Sequence, residues 1–350
     1  MKTIKINNRQ ITSGNPAYII AEMSANHNKN FDTAVKIIEE AKKAGADAIK
    51  LQTYTPETIT LDCDNDCFRI KGTIWQGKNL FQLYKEAFTP WEWQPKLKKI
   101  ADDLNIDLFS TPFDDTAVDF LEKMNVPAYK IASFELIDLP LLKKVAATGK
   151  PVIMSTGMAS LDEIREAVNA LKENNCHQIA LLKCTSAYPA LPEEANLKTI
   201  PDLSKTFNVP AGLSDHTMGS TVAVTSIALG ACIIEKHFCL SRKDSGPDAS
   251  FSMEPDEFTQ MVKDIRTAEK AIGKVSYELT EGQEKSKAFR RSLFAVENIK
   301  KGDLFTPKNI RSIRPGNGLP PKHLEAILGK KAKTDIQKGT PLTSELICQK

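Results

Sequence analysis

The chain has 350 residues, 41% apolar and 26% charged, the composition of a globular protein with length for one large domain and a small one. No apolar run is long enough to span a bilayer, and the opening Met1-Lys-Thr-Ile-Lys-Ile6 alternates rather than forming a signal-peptide core, so a cytoplasmic protein without a membrane partner is expected. The net charge of +3 hides an asymmetry: residues 290–350 carry 13 Lys/Arg against 5 Asp/Glu, and the remainder has a net charge of −5.

From residue 16 to about 273, short apolar runs alternate with segments of helical period. Strands are expected at 17–22, 46–52, 106–110, 128–132, 151–155, 178–184, 209–213 and 231–237. Helical segments between and after them include 31–44, 115–124, 160–173 and 255–272. Gly45, Gly149 and Gly230 stand just before strands, where left-handed caps end helices. Eight strand–helix units over about 260 residues predict a closed (β/α)₈ TIM barrel. A doubly wound open sheet is the alternative, weakened because Glu22-Met-Ser-Ala-Asn-His27 follows the first strand where a Gly-rich phosphate-binding turn would belong. The long interruption 54–90 contains Phe68, Trp75, Phe81, Tyr84 and Phe88, too apolar for a disordered linker; it reads as a lid or a subunit contact.

A polar stretch at 280–287 marks a boundary, giving a barrel domain 1–280, a linker 281–289 and a small domain 290–350. The tail repeats itself: Ile299-Lys-Lys-Gly302 through Ile310 matches Ile336-Gln-Lys-Gly339 through Ile347 at an offset of 37. A small duplicated fold with a pseudo-two-fold follows. So basic a tail could bind nucleic acid, dock on acidic surface of its own oligomer, or offer a cation to an anionic substrate. It lacks the regular aromatic interleaving of single-strand binders, which favours docking and no nucleic-acid partner. The seven cysteines are scattered and odd in number, which suits reduced thiols; Cys63 and Cys67, the close pair, have no further ligands for a zinc site.

In a (β/α)₈ barrel, chemistry gathers where strands hand over to the following loops. Those positions hold Glu22; Lys50 and Gln52; Ser110 and Thr111; Lys130, Ser133 and Glu135; Ser155 and Thr156. The last three strands offer Lys183, Ser186 and Tyr188; Ser214, Asp215 and His216; and Glu235 and His237. His216 and His237 are either structural histidines or a pair that holds a divalent metal with open coordination positions, with Asp215 and Glu235 facing substrate or orienting them. Lys50 and Lys130 among hydroxyls suit a phosphate or carboxylate cradle. A Schiff-base aldolase acting through either lysine fits the same residues. His27 could line the mouth or cap the following helix.

At these residues the chain resembles the sialic acid synthase family, a TIM barrel followed by a C-terminal antifreeze-like (SAF) domain. The marks are Ala21-Glu22-Met-Ser-Ala-Asn-His27, Lys50-Leu-Gln-Thr53, Ser110-Thr-Pro-Phe113, Tyr129-Lys-Ile-Ala-Ser133-Phe-Glu135 and Met154-Ser-Thr-Gly157. They continue with Lys183-Cys-Thr-Ser186-Ala-Tyr188-Pro189, Gly212-Leu-Ser214-Asp-His216, Ile234-Glu-Lys-His237 and Arg314-Pro-Gly-Asn-Gly318.

The resemblance implies condensation of phosphoenolpyruvate with an acetamido sugar, releasing phosphate. It implies Mn²⁺ or Mg²⁺ on His216 and His237, and phosphoenolpyruvate on Lys50, Thr111, Lys130, Ser133, Ser155, Ser186 and Ser214. Glu22, Glu135, Glu235 and Tyr188 would be catalytic, with Gln52 and Asp248 positioning the sugar. Arg314 would reach into a partner's barrel in a homodimer with swapped SAF domains. Ser186 stands where the family commonly has Asn. Residues 23–27, 50–57 and 70–75 resemble the branch that uses 2,4-diacetamido-2,4,6-trideoxy-L-altrose rather than N-acetylmannosamine or the legionaminic acid precursor. The tail alone would also fit a carbohydrate- or ice-binding protein.

Overall fold

Eight parallel strands close on themselves, as the alternating apolar runs predict. The computed structural model describes residues 3–244 and 246–348. A short antiparallel hairpin comes first, β1 (Ile4–Ile6) and β2 (Arg9–Ile11). The barrel follows as β3 (Tyr18–Glu22), β4 (Ala48–Thr53), β5 (Asp107–Pro112), β6 (Tyr129–Ile131), β7 (Val152–Ser155), β8 (Ile179–Cys184), β9 (Ala211–Asp215) and β10 (Ile233–His237). Each pairs with its neighbour in sequence, and β10 returns to β3, with His237 beside Glu22. That closure rules out the open doubly wound sheet.

The strands read as near-continuous apolar runs because one face meets the barrel interior and the other the helices. Every residue of β3, β9 and β10 is buried. Helices Phe31–Lys43, Asp115–Lys123 and Leu161–Glu173 each begin at a side chain that accepts first-turn amides: Asn30 from Thr33, Asp114 from Thr116 and Ala117, Ser160 from Glu163. Past the ends of their helices, Gly45, Gly149 and Gly230 take φ of +90°, +71° and +90°, the left-handed conformation expected of them.

The interruption at 54–90 is folded, with helices Pro56–Ile59 and Leu80–Ala87. Tyr54 holds it at its base, edge-on to Tyr84 at 5.5 Å and to Phe113 at 5.1 Å.

The chain divides into two units, one ending at Gly273 and the other beginning at Lys274. Within the stretch read as linker, Glu281–Ser286 is a short helix that Thr280 caps. In the second unit β11 (Ser292–Ala295) pairs antiparallel with β12 (Ile310–Ile313) over a small core of Leu293, Ile299, Phe305, Ile310, Ile327, Ile336 and Leu342. The offset of 37 is visible as symmetry. Ile299 and Ile336 exchange both backbone hydrogen bonds at 2.8 Å, and Gly302 N donates to Ala332 O as Gly339 N donates to Ala295 O. Each of these partners is the other's counterpart in the repeat, which is what a pseudo-two-fold requires.

Candidate active site

Strand alternation decides which side chains reach the mouth of the barrel, because successive residues point to opposite faces. From β3, β4, β6 and β10 it sends in Glu22, Lys50, Lys130 and Glu235, all buried. Lys50 Nζ lies 2.6 Å from Glu22 Oε2 and 3.7 Å from Glu235 Oε1, and Lys130 Nζ lies 3.6 Å from the same Glu235 oxygen. Two ammonium groups thus share one carboxylate. Burial disfavours charge on all four groups, and the outcome differs with the neighbours. Burial lowers the Lys130 pKa despite Glu235, while Glu22 and Glu235 outweigh burial at Lys50 and raise it. Burial likewise raises Glu22, whereas at Glu235 the two lysines outweigh burial and keep the carboxylate ionised.

Hydroxyls ring this cluster. Lys50 donates to Thr111 Oγ1 at 3.2 Å and Lys130 to Ser155 Oγ at 2.7 Å, and Ser214 Oγ donates to Glu235 Oε1 at 3.2 Å. Ser133 Oγ accepts from Gly157 N at 3.1 Å. A Cβ placed on Gly157 would lie 2.3 Å from Ser186 Oγ and 2.7 Å from Ser133 Oγ, so only glycine lets these two hydroxyls converge. On the other side Gln52 donates to Glu22 and to Ser24 Oγ, each at 3.0 Å, and Ser24 hydrogen-bonds Asp248. Burial raises the Asp248 pKa, and it pushes Glu135 up to about 7.

The two histidines do meet. Their ring centroids are 5.3 Å apart, with Tyr188 against both, 4.4 Å from His216 and 6.2 Å from His237. His216 Nδ1 lies 2.9 Å from Thr185 O, an anchor that leaves Nε2 for a ligand. Burial pushes the His237 pKa well down, so its imidazole is neutral, the form that binds metals. Among the described residues, the buried atoms His237 Nδ1, Glu135 Oε2 and Glu235 Oε2 have no hydrogen-bond partner. Among those residues, too, no group of three His, Cys, Asp or Glu side chains converges as a metal site. The donor set fits a divalent cation held by two imidazoles and completed by water or substrate oxygen.

Several expected residues point elsewhere. Asp215 faces outward, 2.6 Å from Lys236 Nζ, and accepts from Thr217 N and Oγ1; it neither ligates nor faces the mouth. Ser110 also faces away, 2.6 Å from Thr53 Oγ1. On β8, alternation carries Cys184 rather than Lys183 inward. Its Sγ lies 3.8 Å from both His216 Nδ1 and Ser186 Oγ, while Lys183 Nζ donates to Cys184 O. Burial opposes ionisation of Cys184, but the His216 contact outweighs it and brings the thiol to about 7. His27 is buried, 3.1 Å from Thr89 Oγ1 and accepting from Lys29 N, and burial lowers its pKa to about 4. Arg314 lies in the second unit, exposed and just past β12.

Cys184, Ser24, Gly157, Trp75 and Phe251 were not among the candidate site residues. The signal for Cys184 was its parity with Ser186. Trp75 was marked only by its place in the apolar insertion and at the end of the 70–75 stretch, yet its Nε1 donates to Pro247 O at 2.9 Å and its ring lies 5.8 Å from Tyr188.

Comparison with known proteins gives the arrangement a context. Residues 37–277 match the NeuB family and residues 290–347 the SAF domain. A pseudaminic acid synthase of Helicobacter pylori is 43% identical over 331 residues, covering 94% of this chain and 97% of its own. A pseudaminic acid synthase of Campylobacter jejuni is 45% identical over 325 residues, 93% of this chain and 95% of that one. Among solved structures, the N-acetylneuraminic acid synthetase of Leptospira borgpetersenii superposes with a TM-score of 0.72 at 33% identity, covering 81% of this chain and 95% of the other.

Proposed function

The chain belongs to the NeuB family, and from that premise we propose that it makes pseudaminic acid from phosphoenolpyruvate and 2,4-diacetamido-2,4,6-trideoxy-L-altrose, releasing phosphate. The observation that carries the reading is the cluster of Lys50, Lys130, Glu22 and Glu235 beside the paired imidazoles at the mouth of the barrel. Such a cluster has cations for a doubly charged enol phosphate and carboxylates that can exchange protons within one buried volume.

Lys50 and Lys130 with the hydroxyls of Thr111, Ser133, Ser155, Ser186 and Ser214 hold phosphoenolpyruvate. Carbon 3 of the enol attacks the sugar aldehyde, water adds at carbon 2, and the tetrahedral intermediate expels phosphate. A divalent metal, Mn²⁺ or Mg²⁺, bound by His216 and His237 would supply Lewis-acid polarisation of that aldehyde. Glu135, holding its proton to about pH 7, donates toward the oxygen that gains charge as the carbon–carbon bond forms. Glu22, Gln52, Tyr188 and Asp248 orient the sugar. Ionised Glu235 favours the charged form of both lysines and orients them.

We infer further that the protein works in the cytoplasm as a homodimer in which the SAF domain of one chain supplies Arg314 to the barrel of the other. Exposed apolar side chains on loops after β4, β6, β7 and β9 support this: Ile74, Phe134, Met158 and Met218 are each about half exposed or more. Mixing Arg314→Ala with Lys130→Met protein is expected to restore part of the activity through hybrid sites; no recovery at any ratio overturns the swap. Among the described residues no helix is long and apolar enough to cross a membrane.

The deciding experiment incubates the protein with phosphoenolpyruvate, Mn²⁺ and, in turn, the trideoxy sugar, N-acetylmannosamine and the legionaminic acid precursor, following phosphate release. Turnover of the first is expected. Turnover of N-acetylmannosamine alone overturns the proposed substrate.

A further inference from the structure

We propose that Trp75 is a specificity-determining residue for the sugar, offering a purely hydrocarbon face to a methyl-bearing carbon of the substrate. This rests on the reading that the sugar is 6-deoxygenated. Residues 71–74 and 76–77 are exposed, whereas Trp75 between them is half-buried. Its indole Nε1 donates to Pro247 O at 2.9 Å, which ties the insertion after β4 to the loop after β10. Its ring lies 5.8 Å from Tyr188 at 53°. Tyr188 lies 4.4 Å from His216, and Phe251 lies 5.2 Å from Tyr188 and 5.0 Å from His237. Rings from three loops therefore form one continuous wall leading outward from the imidazoles.

An indole has a single donor and no acceptor, and here the donor is already used. The rest of Trp75 cannot replace the water that a hydroxyl would lose on reaching it. A methyl group loses nothing there and gains apolar contact. An apolar wall therefore favours a sugar ending in CH₃ over one ending in CH₂OH. Discrimination of this kind against an added hydroxyl reaches about 100-fold.

The test measures kcat/KM for 2,4-diacetamido-2,4,6-trideoxy-L-altrose and for its 6-hydroxy counterpart, in the wild type, Trp75→Phe and Trp75→Ala. The wild type is expected to prefer the deoxy sugar by roughly 10- to 100-fold. Trp75→Phe, which keeps an aromatic face but loses the bond to Pro247, retains most of that preference. Trp75→Ala loses about tenfold or more of it, with KM for phosphoenolpyruvate unchanged. Equal losses for both sugars in Trp75→Ala, or a Phe variant as indiscriminate as the Ala variant, reduce Trp75 to an anchor of the loop and overturn the proposal. If the wild type turns over neither sugar, the reading of the substrate fails and this inference with it. A failure confined to the ratio leaves that reading standing.

Discussion

Two buried lysine–carboxylate arrangements sit on the two faces of the same strand. On the outer face of β10, Lys236 pairs with Asp215 at 2.6 Å and also donates to Thr217 O at 2.6 Å, while Thr217 N and Oγ1 donate to the other Asp215 oxygen. On the inner face, one residue earlier, Glu235 is shared between Lys50 and Lys130 at 3.7 and 3.6 Å and keeps its second oxygen unpartnered among the described residues. The first arrangement is saturated and local. The second leaves a buried carboxylate oxygen without a partner among the described residues, with burial lowering the Lys130 pKa while the two lysines, against burial, lower that of Glu235. A buried polar group is costly unless satisfied, so a saturated pair supports the fold and an unsaturated one points to a ligand.

Substitutions can break that contrast. The largest effect belongs to the histidines: His216→Ala or His237→Ala is expected to abolish turnover while the far-ultraviolet circular dichroism spectrum and melting temperature stay close to wild type. Full activity in either variant would remove the imidazole pair from the chemistry. Next comes a crossed pair of lysine substitutions. Lys130→Met should reduce kcat/KM by about 10³-fold or more, a magnitude typical of lost charge stabilisation, yet leave stability within about 1 kcal/mol, because Lys50 still faces Glu235. Lys236→Met should do the reverse. It strands Asp215 and costs about 3–5 kcal/mol in urea unfolding, with per-molecule turnover of the folded protein largely kept. If Lys236→Met proved as inactive as Lys130→Met at matched folded fraction, the outer pair would belong to the site after all.

How much of this was legible in the sequence follows from the same geometry. The eight strands were, because parallel strands covered on both faces are continuous apolar runs, and because Gly45, Gly149 and Gly230 mark where helices end. For that reason the inward face was not. With both faces buried, no apolar–polar alternation tells Ser214 from Asp215, Thr111 from Ser110, or Cys184 from Lys183, and a one-residue error exchanges the faces. Residue chemistry at the strand ends nevertheless singled out Lys50, Lys130, His216 and His237, and the structure brings each pair together. Links between distant loops left no local trace. Trp75 and Pro247 are 172 residues apart, and Ser24 and Asp248 are 224 apart.

Glu135 gives the smallest effect and the finest test of the contrast. Its Oε2 is buried without a partner among the described residues, and burial raises the carboxyl from 4.5 to about 7. Below pH 4.5 the group is protonated in both folded and unfolded chains and contributes no pH dependence. Between 4.5 and 7 the folded protein keeps a proton that the unfolded chain has released, so stability falls as pH rises through that window. Above 7 the full penalty is reached, at most about 3 kcal/mol for a shift of this size. Glu135→Gln carries no charge to bury. It should therefore be more stable than wild type at pH 8 by about 1–3 kcal/mol, equal to it near pH 4, and slower in turnover by about 10²-fold or more for lack of the acidic proton. Urea unfolding midpoints at the two pH values measure the difference. Asp215→Asn is the counterpart on the saturated side: it uncouples buried Lys236 and should destabilise. Were Glu135→Gln destabilising at pH 8 as well, the inner carboxylates would be as well satisfied as the outer one, and the distinction between a structural and a functional cluster would not hold.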